Sequence, residues 1–254
     1  MKDKNRNENK DDIIFGTRAV IEAIRSGKEV NKVMVQKGLS NELFAELKEE
    51  LKGTDIPFQF VPPEKLNYIT RKNHQGVIAF VSPANYHKLE NILPQLFEEG
   101  KNPLLLMLDR VTDVRNFGAI CRSAECLGVH AVIIPSRGGA QITSDAVKTS
   151  AGALLRIPVC REENLKETIE YVSGSGLQIV SCTEKTTNTI DSVDLSQPTL
   201  IIMGSEEDGI SGEYLKRSDH KVKIPMSGEI ESLNVSVATG IILYEAVRQR
   251  LKSV

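Results

Sequence analysis

The sequence contains no C-x-x-C pair. Its four cysteines (Cys121, Cys126, Cys160 and Cys182) lie apart, and only four histidines are scattered through 254 residues. A zinc site or a disulfide framework is therefore not expected, and a reducing compartment fits. No apolar run approaches the ~20 residues of a membrane span. No strand pattern is followed by G-x-G-x-x-G, and no glycine-rich loop ends in Gly-Lys-Ser/Thr, which argues against a dinucleotide site and a Walker loop. The N-terminal "MKDKNRNENKDD" is charged and lacks the apolar core of a signal peptide. It reads as a disordered tail over residues 1–12 of a soluble, cytoplasmic protein.

Charge of one sign is also missing: the net charge is only -2. The distribution is uneven, however. Between Lys101 and Arg161 eight basic residues face four acidic ones, and six of the eight are arginines. The planar fork of arginine reads phosphate through paired hydrogen bonds.

What is present is an alternation of elements. "IIFGTRAVIEAIRSG" has apolar residues at helical spacing and stops at Gly27, which predicts a helix. "VNKVMVQ" and "PFQFVP" read as strands around a helix, "NELFAELKEELKG", opened by Ser40 or Asn41. "PEKLNYITR" predicts a short helix and "GVIAFV" a strand, giving a small α/β unit over residues 13–81. A proline-bearing linker and lead-in helix occupy 82–100. From Leu104 the strands become apolar on both faces: "LLLML", "AVIIP", "LQIVSC" and "TLIIMG". Such strands belong to parallel sheets covered by helices on each side, so residues 101–254 read as a doubly wound α/β domain.

Ligands of open α/β sheets bind beyond the carboxyl ends of the strands, and three such regions carry unusual polar sequence. In "LDRVTDVRNFGAICRSAECLG", Arg115 and Arg122 lie seven apart and share a helical face. Gly118 permits close approach of a backbone, by helix packing or by ligand. In "LIIMGSEEDGIS" a buried strand runs into Gly204, and Gly209 closes an acidic turn; that charge suits a neutral or cationic ligand. "ESLNVSVATGI" alternates like a half-buried strand but runs straight into a helical pattern. Buried polar groups without partners cost about 1–3 kcal/mol each, and one helix cap at Ser232 or Asn234 explains one polar residue of three. Singly, each feature has an ordinary reading: an arginine paired with a nearby acid, a solvated turn, a cap.

In this order the three resemble the SpoU (TrmH-like) branch of the SPOUT class of RNA 2'-O-ribose methyltransferases. "NFGAICRSA" matches the family's first motif, with Asn116 and Arg122. "GSEEDG" matches the second with Gly204, Glu206 and Gly209, although Ser205 stands where many members have Asn. "IPMSGEIESLNVSVATGI" matches the third almost throughout, while "FGTRAVIEAI" and "HQGVIAFV" resemble an L30e-like substrate-binding domain.

The resemblance implies an L30e-like α/β domain preceding a SPOUT domain with a deep C-terminal trefoil knot, a rare exception to un-knotted folding. It implies S-adenosylmethionine as cofactor, held near Thr183, Met203, Gly204, Gly209, Ile224, Met226 and Leu233. Catalytic positions fall on Arg122, Asn116, Glu206, Ser232 and Asn234, and RNA contacts on Arg18, Arg115, Arg122 and Arg137. Within the third motif, Leu233 and Val235 would pack inward while Ser232 and Asn234 face cofactor. No metal and no membrane are implied; a homodimer packed through the knotted domain is, with motif 1 of one subunit completing the other's site. A guanosine of 23S rRNA is the expected substrate. The alternatives are a tRNA guanosine, an antibiotic-target rRNA nucleotide, or non-catalytic binding of structured RNA.

Overall fold

The computed structural model describes residues 12–230 and 232–252; of the tail expected over residues 1–12, all but Asp12 lies outside them. The described chain forms two compact units, one running to Asn85 and including Gln141–Asp145, the other formed by Tyr86–Ala140 and the chain from Ala146 onward.

The first unit is a four-stranded sheet in the order β1-β4-β2-β3, built from β1 (Ile13–Phe15), β2 (Val30–Gln36), β3 (Phe58–Val61) and β4 (Val77–Val81). Helices α1 (Thr17–Arg25) and α2 (Glu42–Leu51) bury Val20, Ile21, Phe44 and Leu47 against Val33, Val35, Val77 and Ala79. Helix α3 (Pro63–Ile69) packs Leu66 with Met34, Val61 and Ile78. Asn41 caps α2, its side chain accepting from Phe44 N at 2.8 Å. The helix read from Ile13 is corrected: Gly16 adopts φ 94°, and Ile13–Phe15 instead pair antiparallel with β4. Only glycine crosses readily into that region, so the helix starts after it.

The second unit holds a six-stranded sheet in the order β10-β8-β9-β5-β6-β7, every pairing parallel. Its strands are β5 (Leu104–Leu108), β6 (Ala131–Pro135), β7 (Val159–Glu162), β8 (Gln178–Cys182), β9 (Thr199–Met203) and β10 (His220–Val222). β5 and β9 are buried along their whole length, as their unbroken apolar sequences require. Helices α4 (Leu89–Glu98), α7 (Leu165–Gly174) and α8 (Gly212–Arg217) close one face over Leu105, Met107, Leu200 and Ile202. Helix α5 (Val114–Cys126) packs with α9 (Val235–Lys252). The stretch "SDAVKTSAGAL" is helical only as α6 (Ser144–Thr149), because Ala151 and Gly152 turn left-handed at φ 51° and 86°.

Two residues of the last turn of α9 pin the approaches to the central strands. Arg250 donates to four backbone carbonyls, those of Leu195, Gln197, Asn102 and Pro103, at 2.7–3.1 Å. Burial lowers its pKa to about 10. Gln249 accepts from Leu195 N at 2.7 Å and donates to Val193 O at 3.2 Å. Among the described residues no helix is long and apolar enough to cross a membrane, and no group of three or more His, Cys, Asp or Glu is placed to hold a metal ion.

Candidate active site

The site grows from the carboxyl ends of β5 and β9. After β5, Asp113 caps α5 by accepting from Asn116 N at 2.7 Å, which fixes Asn116 in the first turn. After β9, residues 204–209 fold back on themselves: Ser205 N donates to Gly209 O at 3.2 Å and Gly209 N to Ser205 O at 3.0 Å. Gly204 is obligatory there. A Cβ on it would stand 2.2 Å from Gly209 C and 2.4 Å from Ile210 N, so no side chain fits between the two ends of the turn.

The turn is braced from the strand beside it. Arg110 lies at φ 57°, a left-handed conformation costly for a residue with a side chain. Its guanidinium binds Asp109 and Asp208 at 3.0 Å and Gly209 O at 3.2 Å. Asp109, almost fully buried, also accepts from Ser211 N at 2.6 Å. The bond to Asp109 holds the Arg110 guanidinium above its ordinary pKa. Sequence reasoning counted Asp109 and Arg110 as charges and missed the brace; an acid followed by a base at a strand end was the available signal.

Three distant segments meet at Glu206. Its Oε1 accepts from Asn116 Nδ2 at 3.0 Å, from Asn234 Nδ2 at 2.6 Å and from Val235 N at 3.4 Å. Asn234 Nδ2 also reaches Asn116 Oδ1 at 3.0 Å. The other side of the Asn234 amide caps α9, its Oδ1 accepting from Ser236 N at 2.9 Å and Ser236 Oγ at 2.5 Å. The N-terminus of α9 thus faces a carboxylate, the favourable sense for its dipole. The alternation read in this stretch is not a strand: Ser232–Asn234 form a loop and the helix starts at Val235.

Beside this triangle opens a cavity of about 430 Å³. Thr183, Met203, Gly204, Gly209, Ile224, Met226 and Leu233 all line it, as do Glu206, Ser232 and Asn234. Leu233 departs from the expectation of an interior residue: it is 38 % exposed and offers an apolar surface to the cavity, while Val235 is buried. Four acids (Glu184, Glu206, Glu207, Asp208) and two bases (Lys185, Lys223) share the walls, so the lining favours a cationic guest. Cys182 also lines it, its thiol pushed up to about 12 by burial and so unsuited to act as a nucleophile.

Arg122 does not line this cavity. It stands exposed on α5, as does Arg115, with no ion-pair partner among the described residues. Arg137 is exposed in the loop after β6, and Arg18 in the first turn of α1 in the other unit. Gly118 serves helix packing: a Cβ there would come 2.8 Å from Ala146 O and from Thr149 Cβ in α6.

Residues 103–244 match the SpoU rRNA Methylase family. The chain belongs to that family. Residues 13–87 match a second family, RNA 2'-O ribose methyltransferase substrate binding. A protein of Staphylococcus aureus strain MSSA476, assigned by name to the TrmH family of tRNA/rRNA methyltransferases, is 34% identical over 240 residues, 94% of this chain and 97% of that protein. A Bacillus subtilis relative with the same family name is 32% identical over 239 residues, covering 94% and 96%. Among solved structures, the SpoU methyltransferase AviRb of Streptomyces viridochromogenes, in complex with AdoMet, is similar with a TM-score of 0.61 and 29% identity over 97% of this chain and 95% of that one. Membership makes the chain an RNA methyltransferase with the SPOUT fold.

Proposed function

We propose that the protein is a cytoplasmic S-adenosylmethionine-dependent enzyme that methylates a ribose 2'-hydroxyl, on a guanosine of 23S rRNA, and works as a homodimer through its knotted C-terminal domain. The observation that carries the reading is the convergence of Asn116, Asn234 and the α9 N-terminus on one carboxylate at the rim of the cavity.

The cavity fits the cofactor in size, within the ~300–1,000 Å³ usual for small-molecule sites, and in character. Met203, Ile224, Met226 and Leu233 offer an apolar slot for a base, and the acidic turn suits a sulfonium charge. When bound, S-adenosylmethionine supplies an electrophilic methyl whose sulfur leaves as a neutral thioether, so the protein's task is to orient the hydroxyl and remove its proton. Glu206, held by three donors, keeps Asn116 and Asn234 in register for the ribose; Ser232, exposed on the cavity wall, is free to meet it. Arg122 grips the phosphate beside the target nucleotide. A guanidinium with a pKa above about 12 is a poor base, so Arg122 holds the phosphate in place while its surroundings assist loss of the hydroxyl proton.

Because Arg122 lies outside its own chain's cavity, it serves the partner's site. Val237, Ile241, Tyr244 and Leu251 form an exposed apolar stripe along one face of α9, which a second copy would cover.

Mapping 2'-O-methyl groups in 23S rRNA and tRNA from cells with and without the gene tests the proposal. Loss of one guanosine methyl from 23S rRNA is the expected result. Loss from tRNA alone would transfer the reading to tRNA, and an unchanged map in both would overturn it.

A further inference from the structure

The first unit holds a strained turn that its fold does not explain. Gln75 lies at φ 51°, in the left-handed region, although it carries a full side chain. Gly76 follows at φ 81°. The turn is fixed from every side. His74, buried, accepts from Gly76 N through Nδ1 at 3.0 Å, so its neutral ring carries the proton on Nε2, which donates to Asn67 Oδ1 at 3.0 Å. Gln36 N donates to Gly76 O at 2.8 Å and Val77 N to His74 O at 2.9 Å. A glycine at position 75 would adopt this backbone without steric strain. What the strain secures is the place of the Gln75 side chain, which is exposed and makes no hydrogen bond to any described residue. It lies over Gly16, where an added Cβ would meet Gln75 Oε1 at 3.5 Å, two residues before Arg18 in the first turn of α1.

The surroundings are cationic and carry an exposed ring. Arg18, Lys65 and Arg71 are exposed and have no ion-pair partner among the described residues. Lys72 Nζ sits 5.3 Å from the centre of the Phe15 ring. Tyr68, on α3 between Lys65 and Lys72, is 77% exposed, more than any other large apolar or aromatic side chain among the described residues of this unit. Helix α2 of the same unit is the opposite, with four glutamates to one lysine. A polyanion is therefore directed to the turn and away from α2.

We propose that the His74–Gly76 turn is a base-reading element for RNA. Gln75 presents one donor and one acceptor to the edge of an unpaired nucleobase, Tyr68 offers a ring on which a neighbouring base stacks, and Arg18, Arg71 and Lys72 neutralise the flanking phosphates. This is the chemistry by which side-chain amides and aromatic rings read single-stranded loops of structured RNA. The inference rests on the proposed RNA methylation and adds the residue that selects the substrate, 47 positions before Arg122 in the sequence.

The test is steady-state methyl transfer to deproteinised ribosomal RNA from cells lacking the gene, with Gln75→Gly and Gln75→Glu. Gly removes the strain and the amide together; Glu keeps size and backbone but replaces the donor with a charge that repels RNA. Both are expected to raise KM for RNA about tenfold or more, as one lost two-bond base contact implies, with kcat at saturating RNA and calorimetric cofactor affinity within about twofold. The thermal midpoint of Gln75→Gly should equal or exceed that of the wild type. An unchanged KM in Gln75→Glu overturns the inference. So does a KM rise accompanied by weaker cofactor binding and a lower midpoint in both variants, since the residue would then be structural. A wild type that transfers no methyl to ribosomal RNA or tRNA overturns the proposed function itself, which an active wild type with unaffected variants does not.

Discussion

The side-chain amide of Asn234 donates to Oδ1 of Asn116 at 3.0 Å, across 118 positions of sequence, and both amides donate to the same oxygen of Glu206. One end of Asn234 caps the last helix while the other closes the triangle. Start of helix and geometry of site are therefore set by a single side chain.

Asn234→Asp separates the two roles. An Asp still caps α9, but places a second carboxylate against Glu206 where a donor stood. Thermal stability should fall little, while kcat falls by about 10²-fold or more, the range of oriented polar groups in catalysis. Glu206→Gln retains an acceptor and loses charge-assisted bonds roughly twice as strong as neutral ones, so its loss should be smaller than that of Glu206→Ala. Single-turnover kinetics on RNA check both.

Gly204→Ala should weaken cofactor binding strongly without unfolding the sheet. Its Cβ cannot coexist with Gly209 at 2.2 Å, so the turn must open. Calorimetric titration with S-adenosylmethionine should show affinity reduced about 100-fold or more, equal to about 2.7 kcal/mol. Unimpaired binding would show that the turn does not frame the cofactor.

Arg110→Gly sets backbone strain against an ion pair. The substitution relieves about 1–2 kcal/mol of left-handed strain but leaves the buried Asp109 without its cation, a loss of about 3–5 kcal/mol. Net destabilisation of about 1–4 kcal/mol is expected in urea unfolding. Combining it with Asp109→Asn should restore part of the loss; additive losses would mean that the pair contributes nothing.

Glu245 supplies a pH signature. Bonds from Arg248 at 2.6 and 2.7 Å, followed by Gln249, depress its pKa from 4.5 to about 2. A depressed folded value means stability that is fully present above the unfolded pKa and is lost as pH falls from about 4.5 through 2. Arg248→Met should therefore be less stable than wild type at pH 7, and the difference should vanish near pH 2. A stability difference that does not change with pH would contradict the assignment.

The extent of sequence legibility follows from how local each feature is. The buried runs of β5 and β9, the Asn41 cap and the acidic turn between Gly204 and Gly209 are set by neighbours in the chain, and periodicity or turn chemistry displays them. The spacing from Asn116 to Arg122 and the polar run from Ser232 to Ser236 pointed to a site through resemblance, without geometry. Ile13–Phe15 misled because three apolar residues before a helix match its periodicity; their strand partners lie 63 or more positions away in β4.

By itself the sequence determined the doubly wound class, the family and the residue types at the site, since each depends on local pattern and motif. Only the tertiary structure decided that Asn116 and Asn234 share Glu206, that Arg110 braces the acidic turn, that Leu233 faces the cavity, and that Gln75 is held strained and exposed. Those are relations between segments far apart in the chain. They are fixed by the parallel sheet that brings strand ends together and by hydrogen-bond partners that no linear pattern encodes.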